Sequence, residues 1–219
     1  SINYSARDLN ENVLINVALA RRNMVDSIYK QAMLEVVATT YSDTENIVNG
    51  GKVMNMTSND IAKVINLKRA WEFILNDGVI SYPTNYAILC QINSIIEDGF
   101  SCVAGRLRSV PVTIGGSTYM PPMPIEQMIK DDLDKILNLN NDVIDVTIEL
   151  LLYVMKKQLF LDGNKRTAVI IANHYLISHG GIVVPAELVS EYKKLLILYY
   201  EDRSDDIKLF LKNKCWINV

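Results

Sequence analysis

A loop of five residues, "DGNKR" at positions 162–166, holds the groups in this chain that are best suited to chemistry. Gly163 lets the backbone bend with a positive φ, and Asn164 suits the start of a helix. The N–H groups at the start of the following helix have no partner within it and carry roughly half a positive charge. Lys165 and Arg166 add their full positive charges at the same end. A phosphate would satisfy all of these groups at once, so the spacing predicts a phosphate-binding loop.

Asp162 would give this loop a metal ligand, because Mg²⁺ prefers carboxylate and phosphate oxygens. Two plainer interpretations stay open: the loop is a solvent-exposed turn, and Lys165 is a solvated surface lysine. Leu159 and Phe160 favour a binding loop instead, because apolar side chains just before the loop would anchor it to the core. Phe160 itself is predicted to pack in that core. The loop is not a P-loop, because GxxxxGK[ST] is absent, and it is not an EF-hand, because no acidic ladder precedes Gly163.

Helices must position this loop, because most of the chain carries apolar residues at helical spacing. The most apolar stretch, residues 146–155, is apolar all round and predicts the central helix of the fold. We divide the chain into an N-terminal helical segment, residues 1–80, and a core, residues 81–219. The stretches with a helical pattern are 9–38, 61–77, 85–97, 124–138, 142–157, 166–179, 185–200 and 205–214.

One segment, residues 109–122, breaks the helical pattern. Apolar side chains alternate from Val110 to Ile114, and Gly115 and Gly116 suit a two-residue hairpin turn with positive φ angles. Two prolines then end the second strand. The predicted fold class is therefore all-α with one small β-hairpin.

Composition argues against several other classes of protein. Apolar residues make up 49% and charged residues 21% of the 219 residues, which is the balance of a globular domain with a real core. The net charge of −3 gives no basic surface for nucleic acid. No apolar run reaches the roughly 18 residues of a membrane span. The three cysteines have unrelated spacings, which favours reduced thiols and a cytoplasmic protein. His174 and His179 have no metal-binding context and are interpreted as ordinary helix-surface residues.

The stretch "QLFLDGNKRTA", residues 158–168, resembles the signature of the Fic/Doc family, HxFx(D/E)GN(G/K)R. The residues that match are Phe160, Asp162, Gly163, Asn164 and Arg166. The segment 109–122 is similar to the flap of that family, and "TYSDTEN" is similar to the inhibitory segment of its longer members, (S/T)xxxE(G/N). Together these similarities cover roughly residues 36–215.

The resemblance implies a Fic-type helical fold that binds ATP with Mg²⁺. The implied activity is transfer of AMP, or of another phosphate-containing group, to a hydroxyl side chain of a target protein. By the same resemblance, Gly163 and Asn164 would hold phosphates, Arg166 would neutralise phosphate charge, and Asp162 would place the metal.

The flap would hold the target protein. Its residues Val112, Thr113 and Ile114 would clamp a target segment by strand addition. Glu45, in the "TYSDTEN" stretch, would be the inhibitory residue; the alternative is that it is a plain N-cap or surface acid. The implied partners are thus a nucleotide and an unidentified target protein, with homo-oligomerisation left open.

Three positions depart from the family pattern. Gln158 stands where the family has the histidine that deprotonates the attacking hydroxyl, and a carboxamide cannot act as a general base. Lys165 replaces a glycine, as in the branch that transfers phosphate, and would change which phosphate the loop holds. Val169 replaces the second arginine of the RxxR pattern, so Glu45 would lack its partner, and Tyr41 replaces the serine or threonine of the inhibitory motif.

Three hypotheses about function follow. The first is a Fic-type transferase that is active or weakly active, and the second is a nucleotide-binding module that has lost chemistry and acts in regulation or interaction. The third, a purely structural helical domain, requires the loop to match by chance. Gln158 is the residue that separates the first two hypotheses.

Overall fold

The computed structural model describes residues 11–177 and 179–218. Over these residues the chain is built from helices joined by short connections, with one two-stranded sheet, which confirms the predicted all-α class. In chain order the elements are α1 (Glu11–Arg22), α2 (Met24–Leu34), α3 (Tyr41–Val48), α4 (Ser58–Leu75), α5 (Asp77–Ile80), α6 (Tyr86–Ile96), α7 (Glu126–Leu137), α8 (Val143–Lys157), α9 (Asn164–Leu176), β1 (Gly180–Ile182), a 3₁₀ turn (Ala186–Leu188), α10 (Val189–Tyr200), α11 (Asp206–Lys214) and β2 (Trp216–Asn218).

Helices α8 and α9 pack against each other at the centre of the fold. Helix α9 is buried over almost its whole length, and α4 and α6 also pack on it. Helix α8 buries apolar residues on several faces, as its composition predicts, while Glu149 reaches the surface and pairs with Lys208 of α11. The loop between α8 and α9 therefore extends directly from the two core helices, so its backbone is held firmly.

Side-chain caps fix where the helices on the α9 side of the core begin. Thr57 accepts a hydrogen bond from the Asp60 N–H at the start of α4, and Asn85 accepts one from the Ile88 N–H at the start of α6. Such caps satisfy N–H groups that the helix cannot pair. Helix α4 thus begins at Ser58, three residues earlier than the predicted helical stretch 61–77.

The pattern over residues 9–38 resolves into two helices, α1 and α2, which are separated at Asn23. Leu9 lies outside the described residues. Helix α2 ends at Leu34, and Val36 then takes a left-handed conformation with φ of 56°. Towards the C-terminus, α9 ends at Leu176 rather than at the predicted residue 179. Helix α10 begins at Val189 rather than at the predicted residue 185, after the 3₁₀ turn.

The prediction of a β-hairpin over residues 109–122 is wrong, because the two halves of this segment do not pair as strands. The segment is extended and turns at its glycines, where the Ser117 N–H donates to the Ile114 carbonyl at 3.2 Å, but it forms no strand ladder. Only Gly116 has a positive φ, 82°, which is the pattern of a type II turn. That turn splays flanking strands instead of pairing them, because its twist does not match theirs.

The two-stranded sheet lies elsewhere in the fold. Strand β1 pairs antiparallel with β2, with Gly181 opposite Ile217, so the chain after α9 is tied to the chain after α11. None of the helices in the described part of the chain is long and apolar enough to cross a membrane.

His174 is not at the helix surface, as the sequence suggested, but fully buried. Its Nδ1 lies 2.7 Å from the Thr84 hydroxyl, and its Nε2 lies 2.9 Å from the Val79 carbonyl oxygen. These contacts tie α9 to the chain between α5 and α6, so His174 has a structural role.

Candidate functional site

The loop between α8 and α9 begins and ends at a residue with a left-handed backbone conformation. Gln158 ends α8 with φ of 48° and ψ of 57°, and Gly163 precedes α9 with φ of 77°. Helix α9 begins at Asn164, two residues before its predicted start, and no described side chain caps it. The first N–H groups of α9 are therefore left for a ligand or solvent, as the sequence predicts.

Gln158 and Asn164 clasp the two ends of this loop. The Asn164 amide donates from Nδ2 to Gln158 Oε1 at 3.2 Å and to the Phe160 carbonyl at 2.9 Å, and its Oδ1 accepts from the Phe160 N–H at 3.0 Å. Gln158 Nε2 donates to the Met155 carbonyl at 2.7 Å. Both amide side chains are thus engaged within the loop, and the Asn164 side chain orders the backbone at Phe160. Phe160 is buried in the core, as predicted.

Arg166 lies in the first turn of α9 and pairs with a carboxylate that the sequence did not single out. Its Nη2 donates to Glu97 Oε1 at 3.1 Å, and the two side chains are only 7% and 3% exposed. Asp162 Oδ1 lies at 4.0 Å from the same nitrogen. The Nε of Arg166 is buried without a hydrogen-bond partner. The guanidinium is therefore only partly satisfied by the protein.

Glu97 closes helix α6 and fits against the loop. A Cβ atom added to Gly163 would lie 2.5 Å from Glu97 Oε1, so a larger residue would have to displace this carboxylate, and the φ of 77° also favours glycine. Burial raises the pKa of the Glu97 carboxyl, and the charge of Arg166 opposes this rise without cancelling it. A charged residue at the end of an apolar helix, just before Gly99, was the available sequence signal for Glu97.

Asp162 and Lys165 lie at the open side of the loop. The Asp162 side chain is 74% exposed, and its Oδ1 accepts a hydrogen bond from the Gly163 N–H at 2.8 Å. The described residues contain no cluster of three or more side chains able to ligate a metal. A single exposed carboxylate fits Mg²⁺ that brings phosphate oxygens as its further ligands. Lys165 is half-buried beside it.

The segment 109–122 lies beside the loop and is anchored at its tip. Val112 and Ile114 are half-buried, whereas Thr113 is exposed, so the predicted alternation of side chains is retained without a partner strand. At the tip, the Ser117 hydroxyl and the Thr118 N–H both donate to Glu201 Oε1, at 3.1 and 3.3 Å. This attachment holds the segment against the end of α10.

Arg108, which sequence reasoning missed, joins this segment to the loop. Its guanidinium is buried and donates to the carbonyl oxygens of Gln158, Val110, Pro121 and Pro122. The contacts come from both ends of the segment and from the residue that follows α8. No sequence signal distinguishes Arg108 from a surface arginine, because its partners are backbone carbonyls.

Asn93 of α6 was also missed, and it supports the loop from below. Its Nδ2 donates to the Asp162 carbonyl at 3.0 Å and to the Thr167 hydroxyl at 3.2 Å, and its Oδ1 accepts from the Gly105 N–H at 2.9 Å. The available signal was a polar amide within the apolar stretch "ILCQINSII", which also contains Gln91.

Two positions of the predicted inhibitory arrangement lie apart from these contacts. Glu45 is exposed on α3, and neither ion pair of Arg166 with a described residue involves it. Val169 is buried in the core, 3% exposed. The carboxylate that faces Arg166 is Glu97 instead.

The chain is similar to known proteins in both sequence and fold. Residues 83–176 match the model of the Fic/DOC family, a span that contains α6, the segment 109–122, α8 and the loop. Among solved structures, Fic-1 from C. elegans aligns with a TM-score of 0.73 and 20% identity over 89% of this chain and 61% of its own length.

Two bacterial structures are also similar. A Fic domain containing signaling protein from Bacteroides thetaiotaomicron gives a TM-score of 0.71 at 19% identity, over 86% of this chain and 75% of that one. A Fic family protein from Desulfovibrio desulfuricans gives 0.73 at 16% identity, over 94% and 73%. No curated protein sequence matches. At these identities the likeness establishes the fold.

Proposed function

We propose, from the match of residues 83–176 to the Fic/DOC family model, that the chain binds ATP with Mg²⁺ at the loop between α8 and α9. We propose further that it transfers AMP, or another phosphate-containing group, weakly to a hydroxyl of a target protein.

The start of α9 carries this proposal. Its first N–H groups are uncapped, Gly163 brings the backbone close without a side chain, and Arg166 holds a buried nitrogen without a partner. A phosphate would accept hydrogen bonds from these donors and balance the helix dipole. Lys165 adds charge at the open side of the loop.

Asp162 is the residue that would hold the metal. Mg²⁺, when bound, would neutralise phosphate charge and orient the phosphate oxygens. The chain's own part is to fix those phosphates along the loop through backbone N–H groups and Arg166. Asn93 and Asn164 keep the loop in shape for this task, because they hydrogen-bond its backbone carbonyl and N–H groups.

In AMP transfer, the target hydroxyl oxygen forms a bond to the α-phosphorus, the bond to the β-phosphate oxygen breaks, and pyrophosphate leaves. The hydroxyl proton must pass to a base. Gln158 can donate to or accept from the hydroxyl but cannot take its proton, and its carboxamide is already bonded to Met155 and Asn164. Loss of a general base costs typically 10²- to 10⁴-fold in rate. These observations support a weak transferase.

The target protein would lie along the segment 109–122. Val112, Thr113 and Ile114 are extended, and no described strand pairs with them, so their backbone groups suit an incoming extended segment. Cys90, Cys102 and Cys215 are free thiols, which supports a reducing compartment such as the cytoplasm.

A second candidate function is nucleotide binding without chemistry, in a regulatory or interaction module. The clasp between Gln158 and Asn164 favours it, because it uses the position of the base to build the loop. Incubation with ATP labelled either on the α- or on the γ-phosphate, with Mg²⁺ and a lysate, separates the two. Label transferred from the α-phosphate supports AMP transfer, and label from the γ-phosphate supports phosphate transfer. Saturable ATP binding with no transfer of either label supports the module.

A further inference from the structure

A buried carboxylate occupies the end of α9 where the proposed ligand would place its phosphate. We propose that Glu97 competes with the ligand phosphate for Arg166 and so sets the affinity of this site for nucleotides. The inference rests on the proposed function, and it assigns the competing role to a residue of α6 rather than to Glu45 of α3.

The geometry of Glu97 is that of an internal anion. Its Oε1 accepts a hydrogen bond from Arg166 Nη2 at 3.1 Å and lies so close to Gly163 that a Cβ there would approach it to 2.5 Å. The carboxylate thus lies between the glycine and the guanidinium, the two features that adapt the loop to phosphate. A phosphate oxygen and Glu97 Oε1 cannot both take this position beside Arg166.

The charges that face Glu97 also oppose a phosphate while Glu97 remains in place. They come from Arg166 and Lys63, which stabilise its charged form, and from Asp162 and Glu35, which destabilise it. Two cations and three carboxylates, with Glu97 included, give this cluster a net charge of −1. A polyanion therefore binds more tightly if the Glu97 carboxylate moves away from Arg166.

The negative charge of Glu97 is unfavourable at the C-terminal end of α6. It is the C-terminal cap of α6, and its carboxylate lies at the end where backbone carbonyls concentrate negative charge. Arg166 is the contact that offsets this cost. Lys63 of α4 is the second cation that stabilises the charged form of Glu97.

Titration of ATP and Mg²⁺ into the parent and into Glu97→Gln tests the inference. Glutamine keeps the shape and cannot form the ion pair, so we expect ATP to bind roughly tenfold tighter or more, the size of one charge-assisted hydrogen bond. Adenosine, which has no phosphate, should bind both proteins equally. Glu72→Gln, on the exposed surface of α4, is the matched control and should leave ATP affinity unchanged. Equal ATP affinities for parent and Glu97→Gln, or equal gains for ATP and adenosine, would overturn the inference and leave the proposed function standing.

A second measurement uses the parent alone, in case the substitution unfolds the protein. Crystals of the parent grown with ATP and Mg²⁺ should show a phosphate on Arg166 and Glu97 Oε1 more than about 4 Å from the guanidinium, beyond ion-pair distance. Bound phosphates with the Glu97–Arg166 pair intact would overturn the inference. If neither the parent nor a folded Glu97→Gln protein binds ATP, the proposed function fails and the inference fails with it.

Discussion

Gln158 Oε1 accepts a hydrogen bond from Asn164 Nδ2 at 3.2 Å, which joins the end of α8 to the start of α9. The side chain at the position of the base is therefore part of the loop's own structure. The amide of Gln158 thereby helps to hold the shape of the loop between α8 and α9.

Gln158→His should raise transfer activity. A histidine is neutral near pH 7 and can accept the proton of the attacking hydroxyl, which Gln158 cannot. We expect a gain of about 10²-fold in label transferred from ATP, measured with Mg²⁺ and excess nucleotide. The fold should tolerate the change, because Gln158 is only half-buried and the substitution removes only its two side-chain hydrogen bonds, to Met155 and Asn164.

Gln127→His, on the exposed face of α7, is the control and should leave the rate of transfer unchanged. A parent that is already as fast as the histidine form would show that transfer does not use this position as its base. Transfer by neither protein, with ATP bound to both, would favour the module without chemistry.

Asn93→Ala should destabilise the protein and loosen the loop. Asn93 is 1% exposed, and its removal leaves the Asp162 carbonyl and the Gly105 N–H without their partner. Each unpaired buried group costs about 1–3 kcal/mol, so the free energy of unfolding should fall by about 2 kcal/mol or more in urea denaturation. Asn213→Ala, on the exposed face of α11, should change it by less than about 0.5 kcal/mol. Equal effects of the two substitutions would contradict the supporting role of Asn93.

The helices could be predicted because their causes are local. Apolar spacing and caps such as Asn85 act within a few residues, and the predicted stretches overlap the helices that form. The loop's left-handed glycine and its basic helix start are local in the same sense. The sequence also predicts correctly that Phe160 belongs to the core.

The contacts that complete the site could not be predicted, because they join distant parts of the chain. Glu97 and Arg166 are separated by 69 positions, and Arg108 bonds to carbonyls that carry no residue identity. The predicted hairpin failed for a related reason. Alternation from Val110 to Ile114 indicates an extended segment, but strand pairing depends on a turn geometry that Gly116 does not provide here.

Arg108→Lys should release the segment 109–122. A lysine retains the charge but has no planar fork, so it cannot reach the carbonyls of Val110, Pro121 and Pro122 together. We expect a loss of about 2 kcal/mol in the free energy of unfolding. Amide hydrogen exchange over residues 109–122 should also accelerate.

The matched control for this change is Arg106→Lys, which alters an exposed arginine two residues away. It should leave both the free energy of unfolding and the amide exchange near the parent values. Unchanged exchange in the Arg108→Lys protein would show that the segment is held by its tip contact to Glu201 alone.

Glu45→Gly should have little effect on nucleotide binding. Glu45 is exposed, Val169 offers it no charge, and Arg166 already pairs with Glu97. We expect less than about a twofold change in ATP affinity, and a loss of about 1 kcal/mol in stability from glycine within α3. Glu72→Gly, on α4, controls for the cost of the glycine. A tenfold tightening specific to Glu45→Gly would instead establish Glu45 as an inhibitory residue.

Isothermal titration of ATP with Mg²⁺ into the parent and into Arg166→Gln tests the central claim most directly. Nucleotide binding at the start of α9 predicts saturable binding by the parent at one site per chain. It also predicts a loss of roughly tenfold or more in Arg166→Gln, because a charge-assisted contact to phosphate is removed. Arg203→Gln, an exposed arginine after α10, should bind as the parent does. ATP binding of equal strength in the parent and in a folded Arg166→Gln protein, or no binding by the parent, would contradict the claim.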